Sequence, residues 1–364
     1  MNQLASIHII RFIASMAVVL YHFLPGNRVG HTGTLLNNSN EFVNLFFFIS
    51  GLVLSFSNGQ TILDKKISRK QFYVNRIARL YPSYLLALIL VVASSLIYNI
   101  NLGKTTYLKL PFEALGIQTW LYPGSVNFPG WSLSVEMFFY ISFPFIVSKY
   151  FKFIQENLSR AFILVGLYFL LVLSINYLAG KEESILTATL VNKLGKIFSM
   201  LPSYIEYYPL LRIGYFITGI LSYFLIFQSE GRFNSFVKKN SQLIFIASLI
   251  SILWILMHSS KPMEIYLRSG ILAPFYIFLF MSLAMFKEKT QTFFSNKVFL
   301  FLGAISYGIY IFQYPLQLIY ENSIHAINST QHFLFYSLFL MVSCSIIYLY
   351  YESVLNKWIR NKWR

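Results

Sequence analysis

The sequence predicts an all-α fold, a polytopic membrane bundle of about ten transmembrane helices with the N- and C-termini in the cytoplasm. Three observations support this: the composition, the number of long apolar runs and the placement of the basic residues. Of the 364 residues, 56% are hydrophobic and 19% are aromatic, whereas only 12% are charged. Soluble proteins average about 25% charged residues, so this composition excludes an ordinary soluble enzyme.

Ten apolar runs are long enough to cross the hydrocarbon core, which takes about 17–25 helical residues. The first run resembles a signal peptide, but no small-residue cleavage site follows it, so we expect it to remain as the first helix. No hydrophilic stretch is long enough for a second domain, and residues 1–364 are predicted to form a single membrane-embedded domain. The predicted spans are residues 7–25, 42–58, 82–100, 131–148, 161–179, 209–227, 242–258, 265–286, 299–320 and 333–351.

The basic residues predict the orientation of the chain. With a cytoplasmic N-terminus, the inner loops and tail hold 19 of the 29 Lys and Arg residues and the outer loops hold 7, while Arg11, Arg212 and Arg268 fall within spans. Cytoplasmic loops of membrane proteins are enriched in Lys and Arg, so both termini are predicted to be inside. The same rule accounts for the net charge of +16 without a nucleic-acid partner. The single cysteine, Cys344, lies in an apolar run, so no disulfide or thiolate metal site is expected.

Two outer connections are long. Residues 101–130 contain several Pro and Gly residues, which predicts a turn-rich loop. Residues 180–208 include the stretch ILTATLVNKLGKIFSML, whose apolar residues recur at about helical spacing, which is typical of a helix lying at the membrane interface.

Ionisable residues inside an apolar helix are the first functional signal. Arg11 and His22 are eleven residues apart, which returns them to within roughly 20° of the same helical face and separates them by about 16 Å along the axis. Charges in the hydrocarbon are costly and usually functional. The alternative is that Arg11 extends to the inner headgroups and His22 lies in water at the outer end.

Two further signals flank later spans. Arg76 and Arg79 lie three residues apart before the third span, and two guanidinium groups on one helical face suit phosphate binding. The alternative is that these two arginines only contribute to the positive charge that cytoplasmic loops normally carry. Glu136 lies near the outer start of the fourth span, at the predicted depth of His22, and needs either a partner or water there.

Together these segments resemble the bacterial acyltransferase-3 family of integral membrane O-acyltransferases, in its stand-alone form without a fused extracytoplasmic domain. The matching stretches follow the family order from end to end. They are IRFIASMAVVLYHF (10–23), FFFISGLVLS (46–55), NRIARLYPSYLLAL (75–88), PGWSLSVEMFFYISFP (129–144), LGAISYGIYIFQYPL (302–316) and, more weakly, SIIYLYYESVL (345–355).

The resemblance implies transfer of an acetyl or similar acyl group from cytoplasmic acyl-CoA to a hydroxyl of an extracytoplasmic or lipid-linked surface glycan, in the bacterial inner membrane. By this resemblance Arg11 and His22 occupy the family's first-helix pair, and Arg76 and Arg79 its RxxR motif for acyl-CoA. Acetyl-CoA would then be a substrate, and no permanently bound cofactor is implied.

The matching segments also imply contacts with substrate. Trp131 and Ser132 belong to the WSLSVE segment and are expected to bind substrate, as is Gln313, which replaces a frequent family histidine. His8 stands where an aspartate is common, and Glu352-Ser353-Val354 replaces the family's usual ErP sequence.

A mechanism follows from these positions. His22 is expected to be the general base, because a histidine pKa of about 6.5 suits proton transfer near neutrality. Glu136 would orient or stabilise the imidazole directly or through one water, and Arg11 would complete the catalytic set. A transporter or flippase for a lipid-linked sugar is the alternative function, although no paired broken helices are evident in the two halves of the sequence.

Overall fold

The computed structural model describes residues 4–26, 35–38, 41–185, 204–229, 231–259 and 261–363, and this part of the chain is helical without strands. Three short helices, Gln60–Leu63, Arg232–Lys239 and Glu288–Phe294, connect longer elements. The other helices are numbered α1 (Ser6–Phe23), α2 (Glu41–Leu54), α3 (Arg69–Ile97), α4 (Lys104–Leu115), α5 (Gln118–Leu121), α6 (Trp131–Glu156), α7 (Leu158–Ile185), α8 (Pro209–Phe227), α9 (Ser241–His258), α10 (Lys261–Arg268), α11 (Ala273–Ala284), α12 (Lys297–Ser323), α13 (Thr330–Ile347) and α14 (Ser353–Trp363).

Hydropathy located most of the spans correctly. In the described residues, nine helical segments are long and apolar enough to cross a membrane. Each of them overlaps a span predicted from the sequence, and several are longer, such as Arg69–Ile97 and Phe128–Glu156. The chain is therefore a multi-pass α-helical membrane protein.

The predicted span 265–286 is wrong as a continuous helix. The chain breaks between α10 and α11, and the apolar part, Ala273–Ala284, has only 12 residues. Gly270 adopts φ +99°, a conformation that favours glycine, and a Cβ there would lie 2.2 Å from the Phe169 ring. Pro274 then occupies the start of α11, where it needs no backbone hydrogen bond.

The predicted turn-rich loop 101–130 is also corrected. It contains α4 and α5, and a 3₁₀ turn at Phe128–Gly130 then leads into α6. Gly116, at φ +69°, ends α4 in the left-handed conformation, so the glycines and prolines mark the ends of short helices. The predicted interfacial helix at 180–208 lies mostly outside the described residues.

Helices α2 and α8 approach closely enough to exclude side chains at their crossing. A Cβ on Gly51 would lie 2.0 Å from the Phe216 carbonyl oxygen, and a Cβ on Gly219 would lie 2.1 Å from that of Phe48. Small residues permit this backbone approach inside a membrane, where association depends on close packing rather than on the hydrophobic effect. The crossing fixes α2 against α8 in the middle of the bundle.

Replacement of a crossing glycine is therefore expected to separate the two helices. Gly219→Val should destabilise the protein by at least the roughly 1–3 kcal/mol of an overpacked core. The thermal unfolding midpoint in detergent measures this loss. Gly166→Val is the matched control, since a Cβ at Gly166 meets nothing within 4 Å. Equal midpoints for the two variants would contradict the packing role of the crossing.

Helices α1 and α12 form a second close pair. The Ser15 hydroxyl donates to the Ser306 carbonyl oxygen at 2.8 Å, and a Cβ on Gly303 would lie 2.4 Å from the Cβ of His8. This contact holds the Arg11–His22 face of α1 toward the interior of the bundle.

Candidate active site

Arg11, Arg76 and Arg79 converge on one cavity, here called the arginine cavity. It has a volume of about 70 Å³ and is lined also by Ser132, Glu136 and other residues of α1, α2, α3, α6 and α12. Among the described lining residues there are three arginines and one carboxylate, so this lining is positively charged. Within the described residues the guanidinium groups of Arg11 and Arg79 form no hydrogen bond. Their donors are available to an anion, and a guanidinium can grip two phosphate oxygens at once.

Two π-helical segments contribute to this cluster. In the first, Ser55–Gly59, the Asn58 Oδ1 accepts a hydrogen bond from the Arg76 Nη2 at 3.4 Å. In the second, Tyr348–Glu352, the buried Glu352 lies within electrostatic reach of Arg11 and Arg79. Single π turns inside α-helices are frequent at functional sites because they displace side chains from the regular helical face.

The carboxylate of the arginine cavity has its own partner. The Tyr140 hydroxyl donates to the Glu136 Oε2 at 2.7 Å, and Arg11, Arg76 and Arg79 are the cations within electrostatic reach of Glu136. A carboxylate in the membrane is expensive unless it is paired, and this cluster compensates it. Glu136 in turn reduces the repulsion among three neighbouring arginines.

His22 lines a different and larger cavity, here called the histidine cavity. It has a volume of about 520 Å³. The His22 ring is half-buried and makes an edge contact with Phe128, with centroids 4.4 Å apart. Trp131 also lines this cavity and packs edge-on against Tyr207, with centroids 5.1 Å apart. The wall thus combines an imidazole with flat aromatic surfaces.

The charges of the histidine cavity balance one another. Two arginines, Arg212 and Arg268, and two glutamates, Glu41 and Glu206, lie on its wall. The Arg212 Nη1 donates to the Asn44 Oδ1 at 3.2 Å, while Asn44 donates to the Glu41 Oε2 at 2.6 Å. Arg268 pairs with Glu206 at 3.6 Å. Among the residues that the structure describes, two cations on this wall are thus matched by two anions, so this part of the wall has no excess charge.

A buried carboxylate holds the segment that closes the histidine cavity. Glu113 of α4 is fully buried and accepts hydrogen bonds from the Ser125 hydroxyl at 2.8 Å, the Val126 N–H at 2.5 Å and the Tyr84 hydroxyl at 3.1 Å. Burial raises the pKa of the Glu113 carboxyl, and these hydrogen bonds oppose the rise. Ser125 lines the cavity, as does Phe128 three residues later. Glu113 therefore positions the loop that carries Ser125 and Phe128, and Phe128 packs against His22.

Glu113→Gln should loosen this loop, because an amide nitrogen cannot accept from the Val126 N–H or the Ser125 hydroxyl. We expect the KM for the acceptor to rise by about tenfold, the scale of one lost hydrogen bond to a charged group, with the KM for the donor unchanged. Steady-state kinetics with each substrate varied in turn separates the two. Glu156→Gln removes an exposed carboxylate and serves as control. A parallel rise in both KM values would indicate general destabilisation instead.

The structure brings together some of the predicted site residues and separates others. Arg11, Arg76, Arg79, Ser132 and Glu136 share the arginine cavity, whereas His22 and Trp131 line the histidine cavity. His22 and Glu136, the expected facing pair, thus line different cavities, and the Glu136 carboxylate accepts its hydrogen bond from Tyr140.

Gln313 lies away from both cavities. It is fully buried, and its Nε2 donates to the Tyr310 carbonyl oxygen at 2.8 Å. Its backbone carbonyl oxygen accepts from the Tyr336 hydroxyl. Because Gln313 is buried and lines neither cavity, its position does not support the predicted substrate contact.

Sequence reasoning did not assign a role to several residues in or near the two cavities. Arg212 and Arg268 were visible as charges within predicted spans, which is a sufficient signal for a buried site. Glu352 was visible only as a departure from the family pattern. Tyr310 carried no signal, since it is one of 26 tyrosines in an aromatic-rich chain.

A family model described as an acyltransferase domain matches residues 4–351. The chain belongs to the acyltransferase-3 family. The match extends over both cavities and nearly all of the helical bundle, so the family assignment applies to the whole site.

Three curated relatives resemble the acyltransferase-3 chain. An uncharacterized protein of Haemophilus influenzae is 32% identical over 150 residues, 38% of this chain and 61% of that protein. Acyltransferase MdmB of Streptomyces mycarofaciens is 31% identical over 157 residues, 39% of this chain and 38% of that protein. Peptidoglycan O-acetyltransferase OatA of Listeria monocytogenes is 23% identical over 336 residues, 85% of this chain and 49% of that protein.

The matched regions therefore cover less than two thirds of each of these relatives, from 38% to 61% of their length. No solved structure matches the chain.

Proposed function

We propose that the protein is a membrane O-acyltransferase that moves an acetyl or similar short acyl group from acyl-CoA to a hydroxyl of a glycan. The observation that carries the proposal is the pair of adjoining cavities, one cationic and one charge-balanced with a histidine on its wall. Membership in the acyltransferase-3 family and the similarity to relatives named acyltransferase and O-acetyltransferase support the reaction class.

The arginine cavity supports an anionic donor. Arg76 and Arg79 lie at the start of α3, next to a cluster of lysines and arginines at residues 65–70 that the distribution of charge predicts to be cytoplasmic. In this proposal Arg76 and Arg79 of α3 bind the phosphates of CoA. Arg11 of α1 attracts the same phosphates from the other side of the arginine cavity. The extended pantetheine arm would then run along α1 from the arginine cavity to the border of the histidine cavity, within the distance of about 16 Å that separates Arg11 from His22.

The histidine cavity supports a neutral acceptor rich in hydroxyl groups. Its compensated charges favour neither an anion nor a cation, whereas its aromatic rings suit the C–H faces of sugars. The printed name of the Listeria relative, a peptidoglycan O-acetyltransferase, agrees with a glycan acceptor on the outer side of the cytoplasmic membrane.

In the proposed reaction His22 removes the proton from the acceptor hydroxyl while the oxygen of that hydroxyl attacks the thioester carbonyl carbon. The new C–O bond forms, the C–S bond breaks, and the proton ends on the CoA sulfur. Glu136 acts at a distance from this step by stabilising the arginine cluster.

The test uses purified full-length protein with acetyl-CoA labelled in the acetyl group and oligosaccharide acceptors from cell-surface glycans. Mass spectrometry of the acceptor should show addition of one labelled acetyl group together with release of free CoA. Transport of a lipid-linked sugar between leaflets of a vesicle, without acetyl transfer, would support the flippase alternative and refute the proposal.

A further inference from the structure

The two cavities meet at a single side chain. Within the part of the chain that the structure describes, Tyr310 of α12 is the one residue that lines both. On α6 the neighbours Trp131 and Ser132 belong to different cavities, and on α1 the change occurs between Ser15 and Val18. The boundary between the cationic and the charge-balanced compartments is therefore less than one helical turn thick.

Tyr310 is buried at this boundary. Its side chain is only 5% exposed, and its ring makes an edge contact with Phe46 of α2, with centroids 5.8 Å apart. Gln313 donates to the Tyr310 carbonyl oxygen from one turn further along α12. One turn before Tyr310, the hydrogen bond from Ser15 to Ser306 holds α12 against α1. The Tyr310 ring is therefore buried against α2, on a helix that is bound to α1 one turn away, and it forms part of an interior wall.

We propose that Tyr310 is the partition between donor and acceptor compartments: it keeps water of the histidine cavity from the thioester and leaves room for the acyl group to reach the acceptor. The inference rests on the proposed acyl transfer. The competing reaction is hydrolysis, in which a water oxygen bonds to the thioester carbonyl carbon, the C–S bond breaks and a water proton passes to the sulfur. Its products are the free carboxylic acid and CoA. Exclusion of water from an active site suppresses side reactions of this kind.

The difference in charge between the cavities gives the partition a second role. The cationic arginine cavity binds the phosphates of the donor, and the charge-balanced histidine cavity binds a neutral acceptor. A fixed aromatic ring between them lets a slender acyl thioester approach the boundary while the bulky CoA nucleotide and the glycan stay on their own sides. Tyr310 would thus determine which atoms of the two substrates meet.

The experiment measures acyl transfer and acceptor-independent hydrolysis of acetyl-CoA by the purified full-length protein. Tyr310→Ala removes the ring and should raise the ratio of hydrolysis to transfer by about tenfold or more, as water gains access to the thioester. Tyr310→Phe keeps the ring and should retain the wild-type ratio. Tyr207→Ala removes a ring that lines the histidine cavity alone and should not raise hydrolysis, even where it weakens acceptor binding.

Tyr310→Trp provides a measurement that does not depend on the stability of the alanine variant. A larger ring should narrow the passage, so that transfer falls while donor affinity and hydrolysis stay at wild-type values. An unchanged ratio in folded Tyr310→Ala, or full transfer in Tyr310→Trp, would overturn the partition while leaving the acyltransferase proposal intact. A wild-type protein that transfers no acyl group from acyl-CoA would overturn both.

Discussion

His22→Ala is expected to lower acyl transfer by about 10²–10⁴-fold, the usual contribution of a positioned general base. His22 is the imidazole on the wall of the charge-balanced cavity, where Phe128 packs against its ring at 4.4 Å. Because alanine cannot accept the proton of the acceptor hydroxyl, kcat should fall, while the KM for acyl-CoA should stay nearly constant. Initial rates with labelled acetyl-CoA measure both constants.

Two variants test the specificity of this effect. His22→Gln retains a hydrogen-bonding side chain of similar size without a titratable base, so it should be as inactive as the alanine variant. His258→Ala removes an exposed imidazole at the end of α9, which stacks on Trp254 and lines neither cavity, and this variant should retain wild-type rates. Wild-type acylation of the acceptor by folded His22→Ala would remove His22 from the mechanism.

The double variant Arg76→Lys, Arg79→Lys is expected to weaken acyl-CoA binding by roughly 10–100-fold, the equivalent of one or two lost hydrogen bonds between charged groups. Both guanidinium groups line the arginine cavity, and Asn58 holds one of them. Lysine keeps the positive charge but lacks the planar fork that binds two phosphate oxygens. The KM for the donor should rise much more than kcat falls.

The control for this prediction lies on the same helix. Arg69→Lys changes an arginine that donates to the Ser148 hydroxyl at 3.3 Å and lies over the Phe145 ring, outside the cavity lining. Its donor affinity should equal that of the wild type. Calorimetric titration of CoA and of dephospho-CoA into each variant separates phosphate recognition from general loss of charge. If the double lysine variant binds CoA as tightly as the wild type does, Arg76 and Arg79 do not bind the donor. Their charge then only helps to orient the chain in the membrane.

The sequence predicted the residues of the arginine cavity more fully than those of the histidine cavity. Arg76 and Arg79 lie three residues apart on one helix, and their convergence depends on local helical geometry alone. Glu136 was expected to face His22 because the two lie at similar depth. Depth along the membrane normal does not determine the direction of a side chain, and in the folded bundle Glu136 turns toward three arginines and Tyr140.

The loop that positions Phe128 shows a second limit of the sequence. The Pro and Gly residues of segment 101–130 predicted turns, but the segment forms α4 and α5. The hydrogen bonds of Glu113 reach residues 12 or 13 positions further on and Tyr84 on α3. No local pattern contains those partners, so the role of Glu113 appears only when the helices are assembled.

The sequence by itself determined the class of the protein, the family to which it belongs and, among the described residues, nine helical segments long and apolar enough to cross a membrane. It could do so because each span is selected by its own hydrophobicity against a bilayer of fixed thickness, which is a local property. The tertiary structure alone decided which helical faces meet. Contacts such as Gly51 with the Phe216 carbonyl and Ser15 with the Ser306 carbonyl join residues far apart in the chain. Such packing depends on the shapes of both helices at once, and it placed Tyr310 between the two cavities.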